Sequence, residues 1–319
     1  MNIFVAGGSG TIGVPLVRAL VARGHRVTAT TRSPEKTSLI SALGATPVVV
    51  DALDAHALER AVQSAAPTHV IHQLTALPKA GARRASDLEP TNRLRDEGTR
   101  NLLRAAIASR AERIIVGSFA MLGMAQDSTE VVRDPAAAAM KSMESQVLEA
   151  SDRGLIQGIV LRYGLFYGPS NPGTQELLAL VQKRRLPRIR SDRGQLPFIH
   201  LDDAVSATLA ALDRGSSGRV YNVVDDEPTS FSSVISEMAA ITGSPRPFAV
   251  PWWLVRILAP YMSRLLTIRF SATNTEARRE LAWTLQFPSY RDGLRQTIGQ
   301  TSEGIYTTHV SHARAGGHD

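Results

Sequence analysis

Three glycines at positions 7, 10 and 13, in the run GGSGTIG, are the residues whose spacing most directly implies chemistry. They follow a short apolar stretch, Asn2–Ala6, and lead into a segment with helical apolar spacing, Thr11–Arg23. In a strand–turn–helix setting each has its own job. Gly7 permits the tight turn, Gly10 lets backbone amides approach a pyrophosphate, and Gly13 lets the helix pack closely on the strand. Ser9, Thr11 and Ile12 complete the turn, and the expectation is a nicotinamide dinucleotide held at the helix N-terminus.

The end of the next strand bears on which dinucleotide. An NAD site usually carries an acid there, about 20 residues on, to bind the ribose hydroxyls. Here the stretch reads ATTRSPEK: Thr30 and Thr31 stand at the strand end, Arg32 follows, and the first acid is Glu35. A guanidinium takes a 2′-phosphate bidentately, and Thr31 and Ser33 add hydroxyls, so NADP(H) is favoured, with NAD(H) as the alternative.

These residues must be carried by a regular frame. Asn2–Ala6, Thr11–Arg23 and His25–Thr30 form a βαβ unit. Ala45–Val50, His69–Leu74, Arg113–Gly117 and Gly158–Leu161 read as further buried strands, with Leu58–Ala65, Thr99–Ala108 and Ser142–Ala150 as intervening helices. Such alternation predicts an α/β Rossmann-type fold, a doubly wound parallel sheet covered on both faces. After Gly168, four prolines at 169, 172, 187 and 197 cut the chain into short pieces around a helix at Gln175–Arg184. A helix at Asp202–Asp213 and a strand at Arg219–Val224 return it to the sheet. The expected domains are therefore a dinucleotide-binding domain over 1–168 completed by 200–226, and a smaller, discontinuous C-terminal lid domain over 169–199 and 227–302 that binds substrate. The polar, aperiodic tail, 303–319, reads as disordered, and its His309, His312 and His318 as solvated.

Composition removes several classes. Cysteine is absent, which excludes disulfides, thiolate catalysis and cysteine-ligated metal sites. The net charge of +7 comes mostly from scattered arginines without a basic stripe interleaved with aromatics, so no nucleic-acid partner is expected. The N-terminus has neither a basic leader nor a long apolar run, and the expected location is the cytoplasm, without membrane association. The aromatic, apolar segment PWWLVRILAPYMSRLLTI, residues 251–268, is read as a lid over a bulky, partly apolar substrate rather than a membrane-lying helix.

Taken with VIHQLTAL at 70–77, NRLRDEGTRNLL at 92–103, GSFAMLG at 117–123, LRYGLFYGP at 161–169, PFIHLDDAV at 197–205 and VYNVVDDEP at 220–228, the chain resembles the extended branch of the short-chain dehydrogenase/reductase superfamily, the NAD(P)-dependent epimerases, dehydratases and ketoreductases. The resemblance implies cofactor contacts at Asp51 and Ala52 after the third strand, at Leu74, Thr75 and Ala76 after the fourth, and at Asn92. It also implies a substrate-binding serine at Ser118, and a tyrosine acid with a lysine four residues later on one helix. The helix that should carry this pair reads DPAAAAMKSMESQVLEA, and no tyrosine precedes Tyr163. One register puts Ala136 and Met140 at the pair; a shift by one puts Ala137 and Lys141 there. Replacement acids are then sought in LRYGLFYGP, with Tyr163 ahead of Tyr167, facing Ser118 across the substrate. His200 is read as structural, with Asp202 or Asp203 capping the helix that follows. The expected function is an NADP(H)-dependent oxidoreductase or epimerase-like enzyme on a small organic substrate, monomeric or homodimeric. The alternative is a cofactor-binding sensor without turnover.

Overall fold

The computed structural model describes residues 1–78, 81–120, 134–190, 192, 194–266, 270 and 273–298. The strands, in chain order, are β1 (Asn2–Ala6), β2 (Arg26–Thr31), β3 (Thr46–Val49), β4 (His69–His72), β5 (Arg113–Phe119), β6 (Gln157–Tyr163), β7 (Leu165–Tyr167), β8 (Arg188–Ile189), β9 (Phe198–His200), β10 (Arg219–Val223) and β11 (Ala249–Val250). Seven of them form one parallel sheet in the order β10-β6-β5-β4-β1-β2-β3, and β7 pairs with β9 and β8 with β11 in two small sheets. The order reverses between β1 and β4, which opens a crevice at their C-terminal ends.

Alternation along the strands sorts the side chains to two faces. Ile3, Val5, Ile71, Ile115, Leu161 and Tyr163 pack against the helices Gly13–Ala22 and Leu201–Arg214. Phe4, Val70, Ile114, Val116 and Val160 pack against the helices Ala55–Ala65, Thr99–Ala108 and Pro135–Asp152. On this second face Arg162 of β6 meets Glu144 of helix Pro135–Asp152, with guanidinium–carboxylate distances of 2.6, 2.9 and 3.2 Å. Glu144 is only 5% exposed. A bidentate pair this deep pins the helix to the strand in one rotational setting.

Two helices begin earlier than apolar spacing predicts. The helix expected over 142–150 starts at Pro135, where the fixed φ of proline suits the first turn and the Asp134 carboxylate accepts the amide of Ala136 at 2.8 Å. Its alanine run has no periodicity but a high intrinsic helix propensity. The helix expected over 99–108 is preceded by helical turns at Glu89–Arg93 and a π-helical turn at Leu94–Gly98. Outward ion pairs Arg93–Glu97 and Arg100–Asp96 fill a stretch too polar to show an apolar stripe. The short helix Thr37–Ala42 was not expected at all.

At the helix Leu201–Arg214 the expected cap is corrected. His200, not an aspartate, caps it, its Nδ1 accepting from the Asp202 amide at 3.3 Å. Asp203 instead accepts the amides of Gln286 and Phe287 at 2.7 and 2.9 Å, tying the C-terminal region to the sheet. A separate core of Tyr167, Leu178, Val181, Leu196, Ile235, Met238, Tyr290 and Leu294 joins residues from both sides of that helix. On helix Trp252–Leu258, in the segment expected to form a lid, Trp253, Ile257 and Leu258 are exposed. Among the described residues no helix is long and apolar enough to cross a membrane. Residues 303–319 lie outside the described residues.

The ion pair makes the fold testable. Glu144→Ala leaves a largely buried guanidinium unpaired and is expected to lower unfolding free energy by about 3–5 kcal/mol. Urea denaturation checks this, and Glu144→Ala combined with Arg162→Met should recover part of the loss.

Candidate active site

The glycine turn is shaped as its sequence implies. Gly7 has φ +91°, a conformation that disfavours any side chain, and a Cβ there would lie 2.8 Å from the Gln73 carbonyl oxygen. A Cβ on Gly13 would collide with the carbonyl oxygen of Gly7. At Gly10 it would meet only that same oxygen, at 3.3 Å, and otherwise open space. The helix Gly13–Ala22 starts without a side-chain cap and without an acid in its first turn. Its N-terminal amides and positive dipole end are thus available to an anion, and the cradle fits a pyrophosphate.

Around it the β2 end is knitted by hydroxyls. Gly7 donates its amide to Thr30 Oγ1 at 3.1 Å, Ser9 Oγ donates to Thr31 Oγ1 at 3.0 Å, and Ser33 donates its amide to the same Thr31 oxygen at 3.1 Å. Arg32 is exposed beside this network and has no hydrogen-bond or ion-pair partner among the described residues. Past β3, Asp51 is exposed with one carboxylate oxygen accepting the Leu53 amide at 3.0 Å, and buried Ala52 accepts from the Asn101 side chain at 3.0 Å.

The loop after β4 is held from below. The Leu74 amide donates to His72 Nδ1 at 3.1 Å, which leaves His72 Nε2 to bond Thr99 Oγ1 at 3.0 Å. Burial, with the charge of Arg95 adding to it, lowers the His72 pKa to about 4, so the ring is a neutral strut at neutral pH. The Ala76 amide donates to Thr91 Oγ1 at 2.7 Å, and Thr75 is exposed between these anchors. Asn92 Oδ1 and Ser118 Oγ, both at positions expected to meet a ligand, are among the buried polar atoms that lack partners among the described residues. Each such atom costs about 1–3 kcal/mol to leave unpaired, which a bound ligand would offset.

Ser118 and Tyr163 do not face one another. In the β5–β6 register Ser118 stands beside Arg162, on the face of Glu144, whereas Tyr163 points into the core on the opposite face. The Tyr163 hydroxyl accepts from Gln73 Nε2 at 3.1 Å and donates to Thr208 Oγ1 at 2.7 Å, and Thr208 in turn donates to the Ala204 carbonyl at 2.7 Å. Every proton in that chain is committed, and burial pushes the phenol pKa up to about 12. Tyr167 is likewise buried, bonded to Asp225 at 3.1 Å, and its pKa is raised by burial and the neighbouring carboxylates. The geometry corrects the expected arrangement: both phenols hold the fold together.

Helix Pro135–Asp152 turns a defined stripe to the sheet. With Glu144 on Arg162, the residues four and eight positions earlier, Met140 and Ala136, lie on the same stripe and are buried, and Met140 packs with Ala137 and Phe119 of β5. Lys141 is exposed, so the shifted register that would bring an ammonium to the site is corrected too. The 121–123 portion of GSFAMLG lies outside the described residues. Sequence reading missed Gln73, whose signal was a lone amide amid the apolar VIHQLTAL. A surface pocket of about 460 Å³ lies elsewhere, among Arg188, Asp192, Ser232, Glu237 and Arg291, and no residue of the glycine turn lines it.

If Tyr163 is structural, Tyr163→Phe strands Gln73 and Thr208 and should cost about 1–3 kcal/mol of stability while leaving turnover in place. A fall in turnover of about 10²–10⁴ at unchanged stability would restore the acid role.

Comparison with known proteins agrees with this geometry. The model of the NAD dependent epimerase/dehydratase family matches residues 3–224. A 3-diazoavenalumate denitrifying reductase from a Streptomyces species is 37% identical over 310 residues, covering 92% of this chain and 99% of the relative. A 2-alkyl-3-oxoalkanoate reductase from Stenotrophomonas maltophilia is 28% identical over 269 residues, covering 77% of each chain. Among solved structures, the Thermotoga maritima UDP-glucose 4-epimerase with UDP-glucose superposes with a TM-score of 0.78 at 20% identity, covering 96% of this chain and 100% of that one. The NAD complex of the Thermus thermophilus UDP-glucose 4-epimerase gives a TM-score of 0.75 at 22% identity, covering 94% and 98%. With its parallel sheet, its glycine turn and a family match across most of its length, the chain belongs to the NAD dependent epimerase/dehydratase family.

Proposed function

We propose that this chain is an NADP(H)-dependent reductase that acts on a small, partly apolar organic substrate without a phenolic proton donor from the protein. The observation that carries the reading is the helix stripe set by Glu144: alanine at 136 and methionine at 140 stand where an acid and its lysine would be needed, and the two nearest phenols are bound into the core. A dinucleotide bound at the Gly7–Gly13 turn supplies a hydride.

The chain's own residues then divide the work. The amides of the turn and the helix N-terminus hold the pyrophosphate, and Arg32 with Thr31 and Ser33 takes the 2′-phosphate. Ser118 presents a hydroxyl without a protein partner and orients the substrate. Ala136 and Met140 make that wall apolar, which admits a flat organic substrate and excludes water.

A ketone reduced here would leave an alkoxide with no donor beside it. A diazo group avoids the difficulty. Its net reduction, aryl diazonium plus hydride giving arene and dinitrogen, is balanced without a proton from the enzyme, since the hydride brings the electron pair and N₂ leaves as a neutral molecule. The Streptomyces relative is named for reduction of a diazo compound with denitrification. We therefore place an aryl diazo compound first among substrates. The missing acid equally suits a protein that binds NADP(H) as a sensor, and the same experiment separates the two.

With an aryl diazonium and NADPH, the expected result is one N₂ released per NADPH oxidised, with the arene as product. NADPH binding without oxidation, for diazonium and ketone substrates alike, would favour the sensor. For the cofactor, Arg32→Ala should weaken NADP(H) binding by about 1.5–3 kcal/mol and leave NAD(H) nearly unchanged in calorimetry. Equal loss for both would contradict the 2′-phosphate assignment.

A further inference from the structure

Helix Trp252–Leu258 turns an apolar face to solvent. Its Trp252 and Val255 pack inward, against the core that includes Leu178, Val181 and Ile189. On the other side Trp253, Ile257 and Leu258 are 61%, 68% and 72% exposed, and Phe248, just before β11, is 53% exposed. Single exposed apolar residues are ordinary. Trp253 and Ile257, however, stand at i and i+4 on one helix face, with Leu258 beside them, and a continuous apolar face of this kind marks a contact surface.

The chain around this helix is cationic and free of acids. No aspartate or glutamate occurs between Glu176 and Asp192, a stretch that holds Lys183, Arg184, Arg185, Arg188 and Arg190. None occurs between Glu237 and Glu276, a stretch that includes Arg246 and Arg256. The pairing of β8 with β11 joins the two: the Arg188 amide donates to the Phe248 carbonyl at 2.9 Å, and the Arg190 amide to the Val250 carbonyl at 2.8 Å. All seven of these cations are exposed, and none has an ion-pair partner among the described residues. Asp192 and Glu237 share a pocket with Arg188 but are engaged elsewhere. Asp192 accepts the amides of Gly194 and Ser232 at 3.1 and 3.0 Å, and Glu237 faces Arg291 and Arg295 at 4.0 and 3.8 Å.

We propose that this corner is a peripheral docking surface for an anionic lipid bilayer. Trp253, Ile257 and Leu258 enter the boundary between headgroups and acyl chains, and the cations around β8 meet the lipid phosphates. An indole suits that boundary, being apolar with one polar N–H. The attachment is peripheral, because among the described residues no helix is long and apolar enough to cross a membrane. A nucleic acid would use the cations but leave Ile257 and Leu258 in water. A second copy of this chain, docked about a two-fold axis, would set the same cations against themselves. For the outer face of this helix the proposal reverses the expectation of no membrane partner. It stands apart from the reductase reading, since vesicle binding needs no turnover.

The test is sedimentation of the full chain with vesicles of phosphatidylcholine alone and of phosphatidylcholine and phosphatidylglycerol in equal parts. At about 0.1 M salt, where charges are screened over about 10 Å, the chain should sediment with the anionic vesicles and stay in solution with the neutral ones. Trp253→Ser combined with Ile257→Ser should weaken binding to anionic vesicles about tenfold or more, through lost apolar burial. Arg188→Gln combined with Arg190→Gln should weaken it about 10- to 30-fold. All four side chains are exposed, so the melting temperature and NADP(H) affinity of both double variants should match the parent. The proposal is overturned if the parent ignores anionic vesicles, if it binds neutral ones equally tightly, or if either double variant binds like the parent. It is overturned as well if a short DNA duplex holds the chain while the vesicles do not, which would give the corner to nucleic acid. A dimer in light scattering that Trp253→Ser with Ile257→Ser dissolves would overturn it too, in favour of a second copy of the chain.

Discussion

Glu144 reaches Arg162 from a helix with 3.6 residues per turn, and that single contact dictates which residues of helix Pro135–Asp152 look at the sheet. Moving back along the helix by four and eight residues brings Met140 and Ala136 to the same side, and leaves Lys141 in solvent. The same pair fixes the β6 side of the site. Because side chains alternate along a strand, Arg162 on the helix face requires Tyr163 on the other, where Gln73 and Thr208 close around its hydroxyl. The register that sets Arg162 beside Ser118 and against Glu144 thus leaves the Tyr163 phenol on the other face of the sheet.

The cofactor side depends on a different constraint, the approach of helix Gly13–Ala22 to β1. Gly13 cannot carry a Cβ because the carbonyl of Gly7 occupies that position, and Gly7 cannot because the backbone of Gln73 does. Of these three glycines, Gly10 has the most open space, a Cβ there meeting the Gly7 carbonyl oxygen at 3.3 Å. The electrostatics agree: the helix start has no acid, the β2 end has hydroxyls and an unpaired Arg32, and Glu35 stands beyond them.

The sheet, its strand positions and the glycine turn were legible because they rest on local patterns: apolar runs bounded by turn residues, and glycines at fixed offsets. Helix starts at 89 and 135 were not, since an alanine run and an ion-paired polar run lack an apolar stripe. The role of Tyr163 was also hidden, because a strand-end position does not reveal which face a residue takes until the register with Arg162 and Ser118 is known. The cap of helix Leu201–Arg214 was hidden for a similar reason. A helix cap belongs to whichever side chain reaches the first free amides, and an imidazole two residues ahead of the first aspartate does so here.

The central claim is that hydride transfer in this chain needs no proton from the protein. The most direct measurement is the pH dependence of single-turnover NADPH oxidation with a saturating aryl diazonium, in a range where substrate and fold are stable. The account predicts a rate that does not change with pH and shows no solvent isotope effect, together with a primary isotope effect when the transferred hydrogen of NADPH is deuterium. A rate that falls as a single group loses its proton, accompanied by a solvent isotope effect, would reveal a protein acid and contradict the account.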